Sequence, residues 1–311
     1  MGMHRGFRIR VRSLAVVGAA FAVIGLVPGT ASAAFPGANG RIAWESSKTG
    51  EFDIYSARPD GSDRRELTTG FDEDHRPRWS PDGARIVFFR HKGEAGPGNI
   101  WVMDADGSNL TRLTNTQAYE QDPSWSADGT QIVFERGSLS QAFNLWVMDA
   151  DGSNQHRLTH SSKGDIAATW SSTNVIAFTS FRTGHGDLYT IHPDGTHLVR
   201  VTSQALPDMY PDWSPNGAKL VFFTENGGAT TKREVWTVSA NGTQLQQITH
   251  NDVDDSFPCW SPNGKLIALQ RDVHQDGRDF YDVWTMRTDG THFQRVTHDG
   301  FLDGSPSWQA K

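Results

Sequence analysis

The sequence predicts an all-β chain folded as a six-bladed β-propeller of four-stranded antiparallel blades. Three observations carry that expectation. A tryptophan phrase recurs at Trp79, Trp125, Trp170, Trp213, Trp260 and Trp308, 43 to 48 residues apart, a period typical of propeller blades. Four short strand-like runs fill each interval, with turn dipeptides at regular places. The repeat is also out of phase with the chain ends, so that one blade must be shared between them.

The first strand of each unit carries the tryptophan, as in Arg76-Pro77-Arg78-Trp79, and Ser-Pro-Asp/Asn-Gly usually follows it. The second is rich in β-formers: 41–45, 85–89, 131–135, 175–179, 219–223 and 265–269. Runs such as Ile86-Val87-Phe88-Phe89 are apolar without alternation, which suits a strand buried on both faces between neighbouring blades. The third is expected at 54–55, 100–103, 145–148, 188–191, 235–238 and 283–286. Asp-Gly or Asn-Gly follows it in every unit, from Asp60-Gly61 to Asp289-Gly290, and tolerates the positive φ of a tight hairpin. The fourth ends in Leu67-Thr68, Leu113-Thr114, Leu158-Thr159, Val201-Thr202, Ile248-Thr249 and Val296-Thr297. The repeats open on a second-type strand at Arg41 and close on a first-type strand at Trp308. Three N-terminal strands and one C-terminal strand therefore build the sixth blade, which leaves no open edge in the ring.

The first 33 residues read as a secretion signal: Arg5, Arg8, Arg10 and Arg12, an apolar run from Leu14 to Val27, then Ala31-Ser32-Ala33. The apolar run is shorter than the ~20 residues of a membrane-spanning helix. Cleavage would leave a propeller of residues 34–311, no transmembrane anchor, and an extracytoplasmic product: secreted, periplasmic or envelope-associated. The leader holds four arginines and no acids, so its loss takes the net charge from −7 to −11. An acidic surface argues against nucleic acid as a partner. The single cysteine, Cys259, permits no internal disulfide and reads as a buried thiol.

Phrases such as Pro211-Asp212-Trp213-Ser214-Pro215-Asn216-Gly217 and Trp101-Val102-Met103-Asp104-Ala105-Asp106-Gly107 resemble the β-propeller repeats of the TolB-like family. The resemblance covers about residues 40 to 309. It extends to the propellers of prolyl-oligopeptidase-type hydrolases and tricorn-type peptidases. In TolB an α/β domain precedes the propeller, and coupling to the Tol machinery through it is what the resemblance would imply. Here the repeats begin close behind Ala34, so such a domain is not expected. The third repeat departs from the pattern: Trp170-Ser171-Ser172-Thr173-Asn174 replaces the Pro-Asp-Gly turn, and Ala168 the usual proline.

The second-to-third and fourth-to-first connections share one face and vary in length and chemistry, which is where binding usually lives. An acid stands five residues before every tryptophan on that side: Asp74, Glu120, Asp165, Asp208, Asp255 and Asp303. Gathered at a channel mouth, six carboxylates would raise one another's pKa or hold a cation of the Ca2+ or Mg2+ class in the central channel. The structural alternative is a bolt from each acid to neighbouring backbone or to Arg or Ser on the second strand. Phe71, Tyr119, Tyr210, Phe257 and Phe301 lie near these acids, as partner-binding anchors or as packing between loops. The connection from Arg271 to Tyr281, with Asp272, His274, Asp276, Arg278 and Asp279, reads as a long charged loop. The Asp-x-Asp-Gly phrases at Asp104 and Asp149 read as turn chemistry, and the twelve histidines as scattered.

No nucleophile elbow is present, so no catalytic residue is assigned. The expected function is a non-catalytic, monomeric propeller binding a protein or cell-envelope component through its variable-loop face. The alternative is a divalent-cation-dependent lyase or hydrolase working at the channel mouth.

Overall fold

The computed structural model describes residues 35–92, 97–138, 140–226, 232–275 and 278–311. The expected leader, residues 1–33, lies outside them. Among the described residues, twenty-four strands form six four-stranded antiparallel sheets. The closing sheet runs β24-β1-β2-β3, with β1 (Asn39–Ser46), β2 (Asp53–Ala57), β3 (Arg65–Glu66) and β24 (Asp303–Ala310). The next contains β4 (Asp72–Trp79), β5 (Arg85–Lys92), β6 (Asn99–Asp104) and β7 (Thr111–Arg112). The third contains β8 (Tyr119–Trp125), β9 (Gln131–Ser138), β10 (Gln141–Asp149) and β11 (His156–Arg157). The fourth contains β12 (Asp165–Trp170), β13 (Ile176–Ser180), β14 (Asp187–Ile191) and β15 (Val199–Arg200). The fifth contains β16 (Asp208–Trp213), β17 (Lys219–Asn226), β18 (Lys232–Ser239) and β19 (Gln246–Gln247). The last contains β20 (Asp255–Trp260), β21 (Leu266–Gln275), β22 (Arg278–Arg287) and β23 (Gln294–Arg295).

The closure is the one expected: β24 pairs with β1, placing Trp308 opposite Ile42 and Asp303 opposite Ser46. Ala38 and Lys311 exchange backbone hydrogen bonds of 3.0 and 3.1 Å beyond the ladder. Each tryptophan is buried in the seam with the preceding blade. Trp213 packs on Ala177, Leu188 and Val201, and Trp260 on Val221, Val235 and Ile248. The core is thus six inter-blade seams, which is why the second strands are apolar on both faces.

Two elements differ from expectation. The fourth strands are only two residues long, and the Leu-Thr pair that should end them turns inward. Leu67 and Thr68 both donate their backbone N–H to the Ile54 carbonyl, at 2.8 and 3.4 Å. The Thr68 hydroxyl then accepts the Ile54 N–H at 2.9 Å. The 271–281 connection is also no loop, because β21 and β22 stay paired from Leu266↔Arg287 to Gln275↔Arg278. Val273 and Phe280, directly opposite each other, supply the β-formers that extend this hairpin.

Candidate functional site

The innermost strand of every blade carries a bulge three residues before its tryptophan. There a non-glycine residue adopts positive φ: Arg76 (55°), Asp122 (47°), Ala167 (54°), Tyr210 (54°), Phe257 (48°) and Ser305 (52°). Left-handed backbone costs an L-residue roughly 1–2 kcal/mol, so six such positions point to a geometry imposed by the ring. The bulge re-aims these side chains toward the axis, where they meet. The Arg76 guanidinium lies 4.7 Å from the Tyr210 ring centre and 4.1 Å from that of Phe257, with Asp122 Oδ1 at 3.4 Å from its Nε. One arginine therefore joins four blades across the channel.

Buried carboxylates from the second strands surround that plug. Glu45 Oε2 accepts the Arg76 backbone N–H at 2.8 Å, and its Oε1 takes the Ser305 hydroxyl at 3.1 Å. Burial opposes ionisation of Glu45, yet His75 and Arg76 together hold its pKa down at about 2. Glu135 accepts the Ala167 N–H and, at 2.9 Å, the Gln121 amide. Burial and then Asp122 push Glu135 well above the usual carboxylate range, which favours its protonated form. Nearer the tryptophans, Asp212 accepts the Trp260 N–H at 2.9 Å, and burial raises its pKa.

The six acids before the tryptophans stand elsewhere. All are fully buried, one at each blade junction, and among the described residues no three of them bring their oxygens within 4.8 Å of one another. Asp74 takes a two-pronged contact from Arg90, both arms 2.6 Å. Glu120 pairs with Arg136 at 2.7 Å, and Asp165 with the Ser180 hydroxyl at 2.5 Å and Arg182 at 3.0 Å. Asp208 accepts the Thr224 hydroxyl at 2.7 Å and the Gln204 amide at 3.0 Å. Asp255 accepts the Asn251 amide at 2.9 Å with Arg271 at 3.6 Å. Asp303 differs: among the described residues neither oxygen has a partner within hydrogen-bond geometry, and Arg64 stands 3.8 Å away. Burial, then Arg271 working against it, leaves the Asp255 pKa at about 6; burial and the charge on Asp299 push Asp303 up as well.

A model of the TolB β-propeller domain matches residues 8–142 and 134–311. The chain belongs to the TolB β-propeller family. No curated protein matches the sequence at a significant level. Among solved structures it is similar to TolB from Acinetobacter baumannii, at 22% identity and TM-score 0.75, over 88% of this chain and 67% of that one. It is also similar to hydrazine synthase of Kuenenia stuttgartiensis (13%, TM-score 0.72, 90% of this chain and 47% of that one). A chain of the nidogen/laminin complex matches at 10% identity and TM-score 0.67, over 87% of this chain and 98% of its own. At these identities the likeness is one of fold.

In this TolB-family propeller the five aromatics fall into separate places. Tyr210 and Phe257 line the channel plug, where their rings meet edge-on at 4.7 Å. Phe71 is 93% exposed and Phe301 37%, both in fourth-to-first connections of adjacent blades, while Tyr119 is half-buried at the start of β8. Cys259 is buried, and burial pushes its thiol pKa upward. Asp104 and Asp149 accept the Asn109 and Asn154 amides at 2.6 Å, as turn residues do. In the long hairpin, Asp276 lies outside the described residues.

Two features escaped the sequence reading. A polar residue stands just ahead of the apolar run of every third strand (Asp53, Asn99, Asn144, Asp187, Glu234 and Asp282), and all six are buried. The threonine of each fourth run sits beside it and accepts a third-strand N–H at 2.8 to 3.1 Å in all six blades. The recurrence of Asp, Asn or Glu ahead of each Ile, Leu or Val was the available signal. The second feature is a cluster of Glu73, His75 and His91, whose ligand-type atoms lie within 4.8 Å of one another. Burial opposes a charge on His75, but Glu45 and Glu73 outweigh it and raise its pKa. No repeat marks this cluster, because it belongs to one blade.

Proposed function

We propose that this protein is an exported, monomeric TolB-like propeller that captures a basic protein or cell-envelope component without transforming it. The single observation behind the binding reading is Phe71, 93% exposed on the face that also carries Phe301. Large apolar side chains are otherwise placed mainly in the inter-blade seams, and an exposed aromatic on a rigid scaffold is a usual interface anchor. The acidic net charge of −7 supports a basic partner. The basic, then apolar, then Ala31-Ser32-Ala33 leader supports export, with the mature chain beginning at Ala34.

The test is capture from the parent cell envelope, comparing wild type with a Phe71→Ala/Phe301→Ala double variant. The expected result is loss of the captured component at an unchanged melting temperature. Equal capture by both proteins sinks this face as the binding surface. N-terminal sequencing of exported protein checks the cleavage point.

A further inference from the structure

We propose that Glu73, His75 and His91 form a binding site for one divalent transition-metal ion of the zinc class. The proposal does not depend on the partner-binding reading, which rests on Phe71 and Phe301. Glu73 and His75 are two apart on β4 and so share a face of that strand. His91 lies directly opposite Glu73 on β5. The hairpin thus fixes all three side chains on one patch of one rigid sheet.

The distances suit the ion. Glu73 Oε2 is 3.4 Å from His75 Nε2 and 3.2 Å from His91 Nε2. Zinc–nitrogen and zinc–oxygen bonds of about 2.0–2.1 Å in tetrahedral array put neighbouring ligand atoms about 3.3–3.4 Å apart. The ligands therefore need little rearrangement to close on a metal. Two imidazoles and one carboxylate favour zinc or a neighbour in the first transition row over Ca2+ or Mg2+, which take oxygen ligands.

A supporting shell is also in place. His75 Nδ1 is 3.3 Å from Glu45 Oε2, the carboxylate–histidine arrangement that fixes the tautomer and leaves Nε2 to face the ion. Phe52 and Phe89 wall the His75 ring at centroid distances of 4.8 and 5.2 Å, and the His91 ring stacks on it at 5.1 Å. The three side chains are 14 to 16% exposed, so an ion could enter from solvent and keep its fourth position for water or another ligand.

The test is calorimetric titration of the metal-stripped full chain with zinc chloride near neutral pH. One ion per chain is expected. His75→Ala and His91→Ala should each weaken binding by about 100-fold or more, and Glu45→Gln, acting through His75, by about 10- to 100-fold. Glu45→Gln should also move the pH midpoint of zinc uptake, which a merely structural role for Glu45 would not do. A His156→Ala/His160→Ala double variant should bind as wild type does. Melting curves establish that each variant is folded, and His91→Ala, at the edge of the hairpin, is the one to rely on if His75→Ala fails. Substitution by cobalt should give the intense visible absorption of a tetrahedral site. No heat up to millimolar zinc, or undiminished binding by folded His91→Ala, overturns the proposal, as does the weak spectrum of six-coordinate cobalt.

Discussion

The guanidinium of Arg76 rests 4.1 Å from the centre of the Phe257 ring, reaching from one innermost strand to another across the propeller axis. Tyr210 takes the same cation at 4.7 Å, and Asp122 pairs with it at 3.4 Å. The channel is therefore closed at the level of the bulges by a charge packed between rings.

Removing that charge should loosen the ring as a whole. Arg76→Ala leaves Asp122 beside the buried Glu135 without its counter-ion, and strips two aromatic faces of their contact. The expected loss is about 3 kcal/mol, in the range for breaking a buried ion pair by deleting one partner. Urea unfolding measures it. Arg58→Ala, a mostly exposed side chain 3.9 Å from Asp63, should change stability by no more than about 0.5 kcal/mol.

The threonines predict a second, more local effect. Thr68 accepts the Ile54 N–H at 2.9 Å and faces Asp53 Oδ1 at 3.3 Å, all inside a blade junction. Thr68→Val keeps the shape and orphans both groups. Leaving a buried polar group unmatched costs about 1–3 kcal/mol. Thr249→Val should behave alike, because its hydroxyl joins Val235 and Glu234 in the same way. If both valine variants melt with wild type, the hydroxyls carry no share of the junction's stability.

The repeat made the fold legible, and the same repeat hid the site. Trp79 to Trp308 recur because each fills one seam, so their spacing declared six blades and even the split closure. The acids before them recur for a related reason: five are tied to a second strand or an adjacent loop within their own junction. Periodicity reports what every blade needs. The residues that make this propeller different occur once, as Arg76 does among its five counterparts Asp122, Ala167, Tyr210, Phe257 and Ser305. Glu73 and His91 became neighbours only through the β4–β5 register, which places residues eighteen apart in sequence opposite each other. The 271–281 segment reads as a loop in sequence because charged residues occupy both strands of what is a paired hairpin.

Acid should stabilise the protein before it destabilises it. Asp255 has a folded pKa of about 6, and that of Asp303 is likewise raised, both above the ~3.9 of an unfolded aspartate. The folded chain therefore binds these protons more tightly than the unfolded one. That contribution is complete below about pH 4 and disappears as the pH rises through about 6. The groups facing Asp255 are Arg271, Asn251, Glu234 and Asp254; those facing Asp303 are Asp299, Asp282, Arg64, Ser46 and Thr297. The melting temperature of metal-free protein should thus be higher at pH 5 than at pH 7.5. Asp303→Asn, which keeps the shape and drops the charge, should raise the value at pH 7.5 and flatten part of the slope. A slope unchanged in Asp303→Asn would remove Asp303 from this account.

The closure makes the last strand a structural lock. β24 covers β1 along its length, from Asn39↔Ala310 to Ser46↔Asp303, and buries Trp308 against Ala268, Val283 and Val296. Ending the chain before Asp303 would bare the edge of β1, whose Ile42, Ala43 and Trp44 have no exposure in the intact ring. An unpaired, flat and apolar strand edge recruits another chain. The truncated protein should therefore elute as dimers or larger species in size-exclusion chromatography with light scattering. A synthetic peptide of residues 303–311 added in excess should reverse this. Monomeric elution of the truncated chain with an unchanged melting temperature would show that β24 does not hold the ring shut.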